Sequence, residues 1–348
     1  MQRTLKYLAV LSLLLFLIIG LSIVAQSQEG ASTATPAPSK TPQPTITPAA
    51  NIETDDTTNT EFPRKLARSY TQADLSVLVG NVQRPNGIVW FDNHLYTACN
   101  GDWTLYRVDD TSGETITFVF GLQNAHDMVA ETTDDGFNIW APDFDTNRLL
   151  RIDQRQGAPL EITSDKLDGP WGITPINDEH FLISNVRGNN IVMTNRLGEV
   201  TEVINGLRSP AGMASDGDYV YVANNGSARR AVEWFNANDL SEDEVTDITQ
   251  PLVSGLQNAS SLVMAEDGFL YFTYALGTRG VVGRVDPVQC RDDGCTNEDV
   301  EIVVFTELQA PLAGLTITPD MRLFVHTIFR PEIYWVRLYD ELPAQQLS

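Results

Sequence analysis

Basic residues are scarce in this 348-residue chain: 23 Lys and Arg stand against 46 Asp and Glu, a formal net charge of −23. Nucleic acid and anionic membrane surfaces both select basic faces, so this balance speaks against either as a partner of the folded domain. Cysteine is nearly absent. Three in the whole chain are too few for a disulfide framework to replace a hydrophobic core. Beyond residue 25 there is no long apolar run and no stretch with the 3.6-residue period of an amphipathic helix, which excludes helix bundles and later membrane spans.

What the chain does have begins at its N-terminus. Arg3 and Lys6 precede a nearly unbroken apolar run from Leu8 to Ala25, and Ala25-Gln26-Ser27 offers small residues for cleavage. Residues 1–26 therefore read as a signal peptide or as an uncleaved membrane anchor, and either one places the remainder outside the cytoplasmic membrane. No cysteine follows the run, which argues against a lipid anchor. Residues 27–68 are rich in Thr, Pro, Ser and Ala with few large apolar side chains, a composition expected to form a disordered spacer. Arg64, Lys65 and Arg68 at its end read as a solvated basic patch.

Residues 69–348 are a repeat. Six segments each carry a short polar or proline turn, then a small residue before an apolar run. They place Gly87, Asp127, Gly172, Gly212, Ser261 and Gly314 at successive spacings of 40 to 53 residues. That period matches one four-stranded blade of a propeller. The second strand of each repeat carries a Leu-Tyr-like pair, as in Leu95-Tyr96, Ile139-Trp140, Val220-Tyr221, Leu270-Tyr271 and Leu323-Phe324. The sixth repeat ends one strand short, near Ile333 to Tyr339, while a spare β-rich segment at residues 74–80 precedes the first turn. The expectation is an all-β, six-bladed β-propeller whose last blade is closed by that N-terminal strand, which removes exposed sheet edges.

Ile139-Trp140-Ala-Pro-Asp143-Phe-Asp145-Thr-Asn147-Arg148-Leu-Leu-Arg-Ile152-Asp153 resembles the strand–Asp–Asn-Arg–strand signature of NHL repeats. Gly87-Ile-Val-Trp-Phe-Asp-Asn-His-Leu-Tyr-Thr-Ala is similar to the senescence-marker-protein/gluconolactonase hydrolases and the sugar dehydrogenase propellers. The resemblance spans roughly residues 74–340. It implies the fold more firmly than any activity, because such motifs largely encode blade geometry.

In such propellers the entry turns and second-strand loops share one face around the channel. That mapping places Asn86, His126, Asp127, Trp171, Ser260 and Ser261 at the mouth, with Trp103, Arg187, Tyr274, Arg279 and Arg330 on the loops around it. The hydrolase resemblance implies calcium held by Asn86 and Asp127, acting as a Lewis acid. Asp127 falls one residue out of register, however, and the family's Glu is missing. The competing reading is that Asn86 and Asp127 bond backbone in tight turns. His126 is a candidate general base, or a hydrogen-bonded turn residue. The arginines suit a carboxylate or phosphate, or else form ordinary surface ion pairs. Cys290 and Cys295 flank the turn-forming Arg-Asp-Asp-Gly and are expected to bridge a hairpin.

Three readings of function follow, one of binding and two of catalysis. The first is an extracytoplasmic propeller binding a small anionic or sugar-like molecule, or an extracellular protein segment, with membrane contact only through the N-terminal segment. The second is a calcium-dependent lactonase-like hydrolase. A quinone-dependent sugar dehydrogenase ranks third, since its histidine base and cofactor-binding arginines do not fall in register.

Overall fold

The computed structural model of the chain describes residues 62–340, apart from 156, 164 and 165, together with Leu342. The proposed signal or anchor and most of the spacer lie outside the described residues. Within them are six sheets, each built on four antiparallel strands. Blade one runs Pro85–Phe91, His94–Cys99, Thr104–Asp109 and Thr115–Phe120. Blades two, three, four and five begin at the inner strands Val129–Thr133, Pro170–Pro175, Pro210–Ser215 and Leu262–Met264. Blade six holds Gly314–Ile317, Arg322–His326 and Ile333–Arg337, and takes its outer strand, Ser76–Val79, from the N-terminal side of blade one. That strand pairs antiparallel, Ser76 opposite Trp335 and Val79 opposite Ile333.

The inner strands touch in order around a ring, the sixth returning to the first. Six hydrophobic clusters make up the core, and each is shared by two neighbouring blades. The reason is visible in the second strands, whose alternating pattern sends one large side chain per blade into the joint. Tyr96, Trp140, Phe181, Tyr221, Tyr271 and Phe324 are all fully buried. Each such burial is worth about 1.5–3 kcal/mol before entropy is charged against it.

Near the mouth the inner strands approach so closely that side chains do not fit. A Cβ on Gly172 would lie 2.4 Å from the Ala211 carbonyl oxygen, and one on Gly212 would lie 2.3 Å from that of Ser260. Gly212 N–H instead donates to Ser260 at 2.7 Å. At these joints the glycine of the turn is therefore a steric requirement of ring closure.

The packed region starts earlier than the expected boundary at residue 69. Leu66 is buried between blades five and six, and its N–H donates to Glu301 at 3.0 Å. Arg64 pairs with Asp286 at 3.0 Å and Arg68 with Asp74 at 2.8 Å, so two members of the expected basic patch are neutralised. Tyr70–Thr71 then adds a parallel pairing to the outer edge of blade five. Beneath this strap Arg284 is fully buried. It bonds Asp267 at 2.8 Å, Glu301 at 2.7 Å and the Tyr339 hydroxyl at 2.6 Å.

Cys290 and Cys295 are joined by a disulfide, but not across a hairpin. Residues Pro287–Asp293 form a short helix capped by the Asp286 side chain, and Gly294 turns the chain at φ 71°. An N-capping Asp and a proline at the first turn favour that helix over the turn read from Arg-Asp-Asp-Gly. Cys295–Thr296 then lies parallel along the outer edge of blade four. Cys99 is a buried free thiol, pushed up to about 12 by burial. No helix among the described residues is long and apolar enough to cross a membrane.

Candidate functional site at the channel mouth

Strand pairing fixes which loops share a face. Pro85 opposes Cys99 and Thr104 opposes Phe120, so each entry turn lies beside the loop joining second and third strands. Backbone hydrogen bonds join the two: Asn100 N–H to Arg84, Phe144 to Asn124, Val186 to Gly169, Asn225 to Ser209 and Ala275 to Gln257. All the loop residues singled out above, except one, belong to this face.

The exception is Tyr274. The second strand of blade five runs on to Leu276, paired through Leu276 opposite Arg279. Tyr274 is thereby drawn into the core between blades four and five, 6% exposed and in contact with Phe272. It does not line the mouth.

A channel cavity of about 180 Å³ lies on the ring axis, with Ile88, Asp127, Ile173, Met213, Ser261 and Gly314 contributed by the six blades in turn. Its walls are mostly aliphatic. Asp127 stands where most other blades carry glycine and puts its carboxylate into this space. It accepts N–H from Met128 at 2.9 Å and from Ile173 on blade three at 3.3 Å. Burial among apolar walls outweighs these bonds and pushes its carboxyl up to about 7.

His126 lines the same cavity but packs against aromatic rings. Its imidazole lies flat on the Trp171 indole, ring centroids 3.4 Å apart and planes 8° from parallel. Phe144 meets both rings edge-on. Arg187 in turn lies over Phe144 at 4.2 Å and bonds the Phe144 carbonyl at 3.3 Å and Asn147 at 3.4 Å. Gly169, at φ +62°, makes room for this arrangement: a Cβ there would fall 2.8 Å from the Arg187 side chain and 3.1 Å from the Phe144 ring. Desolvation pushes His126 down to about 3. A general base works best with a pKa near the working pH. In this structure His126 serves as a stacking partner of Trp171, and its lowered pKa does not match that requirement.

The donors implied for calcium do not make up a full ligand set. Asn86 is buried and its amide donates to Asn124 at 2.5 Å, leaving its Oδ1 without a partner among the described residues. Asp127 is the one carboxylate on the channel wall. No group of three or more His, Cys, Asp or Glu among the described residues could hold a metal ion. One orphan amide oxygen and one carboxylate fall well short of the six to eight oxygens a calcium ion takes.

Several polar residues of the second-strand ends turn out to brace the loops. Asp143 accepts from Gln123 N–H at 2.7 Å, Asn185 from Asp168 at 3.1 Å and Asn224 from Arg208 at 2.6 Å. Ser260 bonds the Thr273 hydroxyl. His326 is buried in blade six, where burial pushes it down to about 4. Asp143, Asn185 and Asn224 thereby take the backbone-satisfying duties usual for buried polar side chains, whereas neither ring nitrogen of His326 has a hydrogen-bond partner among the described residues.

Arginine pairing differs between the two faces, although on the mouth face Arg148 pairs with Glu161 and Arg230 with Glu233. On the far face Arg155, Arg196, Arg291, Arg322 and Arg337 are each within 4 Å of a carboxylate. On the mouth face Arg84, Arg187, Arg208, Arg229, Arg279 and Arg330 pair with none among the described residues. Sequence alone could not show this, because pairing depends on which loop tips meet.

No protein-family model and no curated protein matches the chain. Solved structures are similar to it. A gluconolactonase from Xanthomonas campestris gives a TM-score of 0.58 at 14% identity, over 76% of this chain and 89% of that one. A calcium-binding regucalcin from Agrobacterium tumefaciens gives 0.57 at 14%, over 80% and 100%. A streptogramin B lyase gives 0.53 at 15%, over 75% and 96%. Likeness at such identities establishes the propeller fold alone.

Proposed function

We propose that this is a binding propeller, held outside the cytoplasmic membrane, whose channel mouth takes up a small organic anion such as a sugar acid. The observation that carries the reading is the set of mouth-face arginines without carboxylate partners in a chain of net charge −23. Surface pairing on this face takes up Arg148 and Arg230 and leaves these six without a carboxylate among the described residues. An arginine left open presents a fork that matches a carboxylate. Arg187 beside the His126–Trp171 stack adds a flat apolar wall, on which the C–H face of a sugar ring packs well. The disulfide suits an oxidising compartment.

Lactone hydrolysis is the second reading, and Asp127 favours it. A carboxyl near 7 in an apolar channel is suited to general acid–base work. Calcium belongs to this second reading, and would need oxygen ligands beyond those of Asn86 and Asp127.

The test is calorimetric titration of the chain with glucuronate, gluconate and glucose, together with hydrolysis of gluconolactone in calcium or chelator. Binding of the two acids but not of glucose, with no lactone turnover above background, supports the binding reading. Calcium-dependent turnover abolished in Asp127→Asn supports the hydrolase and displaces the first reading.

A further inference from the structure

The mouth face carries a second feature, away from the His126–Trp171 stack. On three successive blades one protruding apolar side chain is set beside one arginine. Blade five contributes Leu276, 49% exposed, with Arg279 across its loop. Blade six contributes Phe329, 54% exposed, followed directly by Arg330. Blade one contributes Trp103, 55% exposed, on the loop whose Asn100 N–H bonds the Arg84 carbonyl. Phe120 extends the blade-one pair, since Gly121 N–H donates to Trp103 at 2.8 Å.

Large apolar side chains at loop tips lose nothing by being polar unless something covers them. Trp103 is also held at φ +58°, a backbone conformation that a bulky residue adopts only at an energetic cost. None of these side chains lines the channel cavity, so they are not part of a small-molecule pocket. Their arginines make no ion pair among the described residues, although Arg279 donates to the Glu307 carbonyl.

We propose that the arc of blades five, six and one docks an acidic polypeptide segment bearing apolar side chains, belonging to a partner protein. Charge complementarity sets the sign of the partner: Arg84, Arg279 and Arg330 attract carboxylates to a chain that otherwise repels them. Leu276, Phe329 and Trp103 set its type, because they offer apolar area for leucine- or aromatic-sized side chains. A polysaccharide makes little use of a leucine. An anionic membrane is an extended plane and would meet the repulsion of the whole acidic molecule.

The experiment uses the full chain in detergent micelles and two probes, a poly(Glu,Tyr) copolymer and poly-L-glutamate, at low and moderate salt. Stronger binding of the copolymer, weakening with salt, is expected. The variant Arg84→Glu, Arg279→Glu, Arg330→Glu should lose about tenfold or more in affinity. Trp103→Ala with Phe329→Ala should erase the preference for the copolymer. All five positions are exposed, so circular dichroism and melting should match the parent and show that the variants are folded. No binding of either acidic polymer, or affinity unchanged by the arginine reversals, overturns the proposal. So does tighter binding of dextran sulfate or of phosphatidylserine vesicles than of the copolymer. The small-anion reading is judged separately, on Arg187→Ala with glucuronate.

Discussion

The His126 imidazole lies flat on the Trp171 indole, 3.4 Å between centroids, with Phe144 edge-on to both. The stack desolvates the histidine and holds it neutral, its pKa pushed down to about 3. Trp171→Ala should let water reach the ring and raise that pKa toward the ordinary value of about 6.5. Nuclear magnetic resonance titration of the imidazole C–H signals checks this. A His126 that titrates near 6.5 in the parent protein would contradict the packing described.

Two desolvated histidines also give stability an acid limb. His126 near 3 and His326 near 4 both have folded values below those of the unfolded chain. Their contribution is present above about pH 6.5 and is lost as pH falls toward 4 and then 3. Urea unfolding from pH 7 to pH 4.5 should show falling stability. The slope should be smaller in His326→Gln, compared at each pH with its own value at pH 7.

Asp127 works in the opposite sense. Its folded pKa, about 7, is raised above the ordinary 3.8. The stability tied to its neutral form is present below about pH 3.8 and is gone once pH has risen through 7. Asp127→Asn, which keeps an acceptor for Ile173 N–H, should gain stability relative to the parent as pH rises from 4 to 7. The difference should level off above 7. A difference that does not change with pH would show that Asp127 is ionised and solvated.

Gly169 should matter to binding more than to folding. A methyl there meets Arg187 and Phe144 before anything else, and φ +62° strains any non-glycine residue. Gly169→Ala should weaken glucuronate about fivefold or more by displacing the arginine fork, at a stability cost of about 1–2 kcal/mol. Titration calorimetry and urea unfolding read the two effects separately.

Arg284 is the strongest single fastener of the N-terminal strap. Removing it leaves the buried Asp267 without its charge partner and strips Glu301, which also holds Leu66 N–H. Arg284→Ala should cost about 3–5 kcal/mol and expose Arg64 and Lys65 to faster tryptic cleavage.

Much of the fold is legible in the sequence because it is encoded locally. Period-two alternation around Tyr96, Trp140, Tyr221, Tyr271 and Phe324 marks the second strands, and the turn residues at Gly87, Gly172 and Gly212 mark where each blade begins. What escaped reading depends on distant partners. Tyr70–Thr71 is a strand only because blade five offers an edge, and Cys295–Thr296 only because blade four does. Tyr274 looked like a loop residue because Leu276 and Arg279 pair around a two-residue turn, Gly277-Thr278, that carries no proline or Asn-Gly signal. The mouth residues were placed on the right face, yet their chemistry was not visible. A histidine is a base or a stacked ring according to what lies beside it, and an arginine is paired or open according to which tips converge.

The most direct test of the account is calorimetric titration of glucuronate into the full chain and into Arg187→Ala and Trp171→Ala variants. The account predicts measurable binding by the parent, about tenfold or greater loss in Arg187→Ala, and a smaller loss in Trp171→Ala. Equal affinities in all three proteins, or no binding by the parent to glucuronate or gluconate, would contradict it.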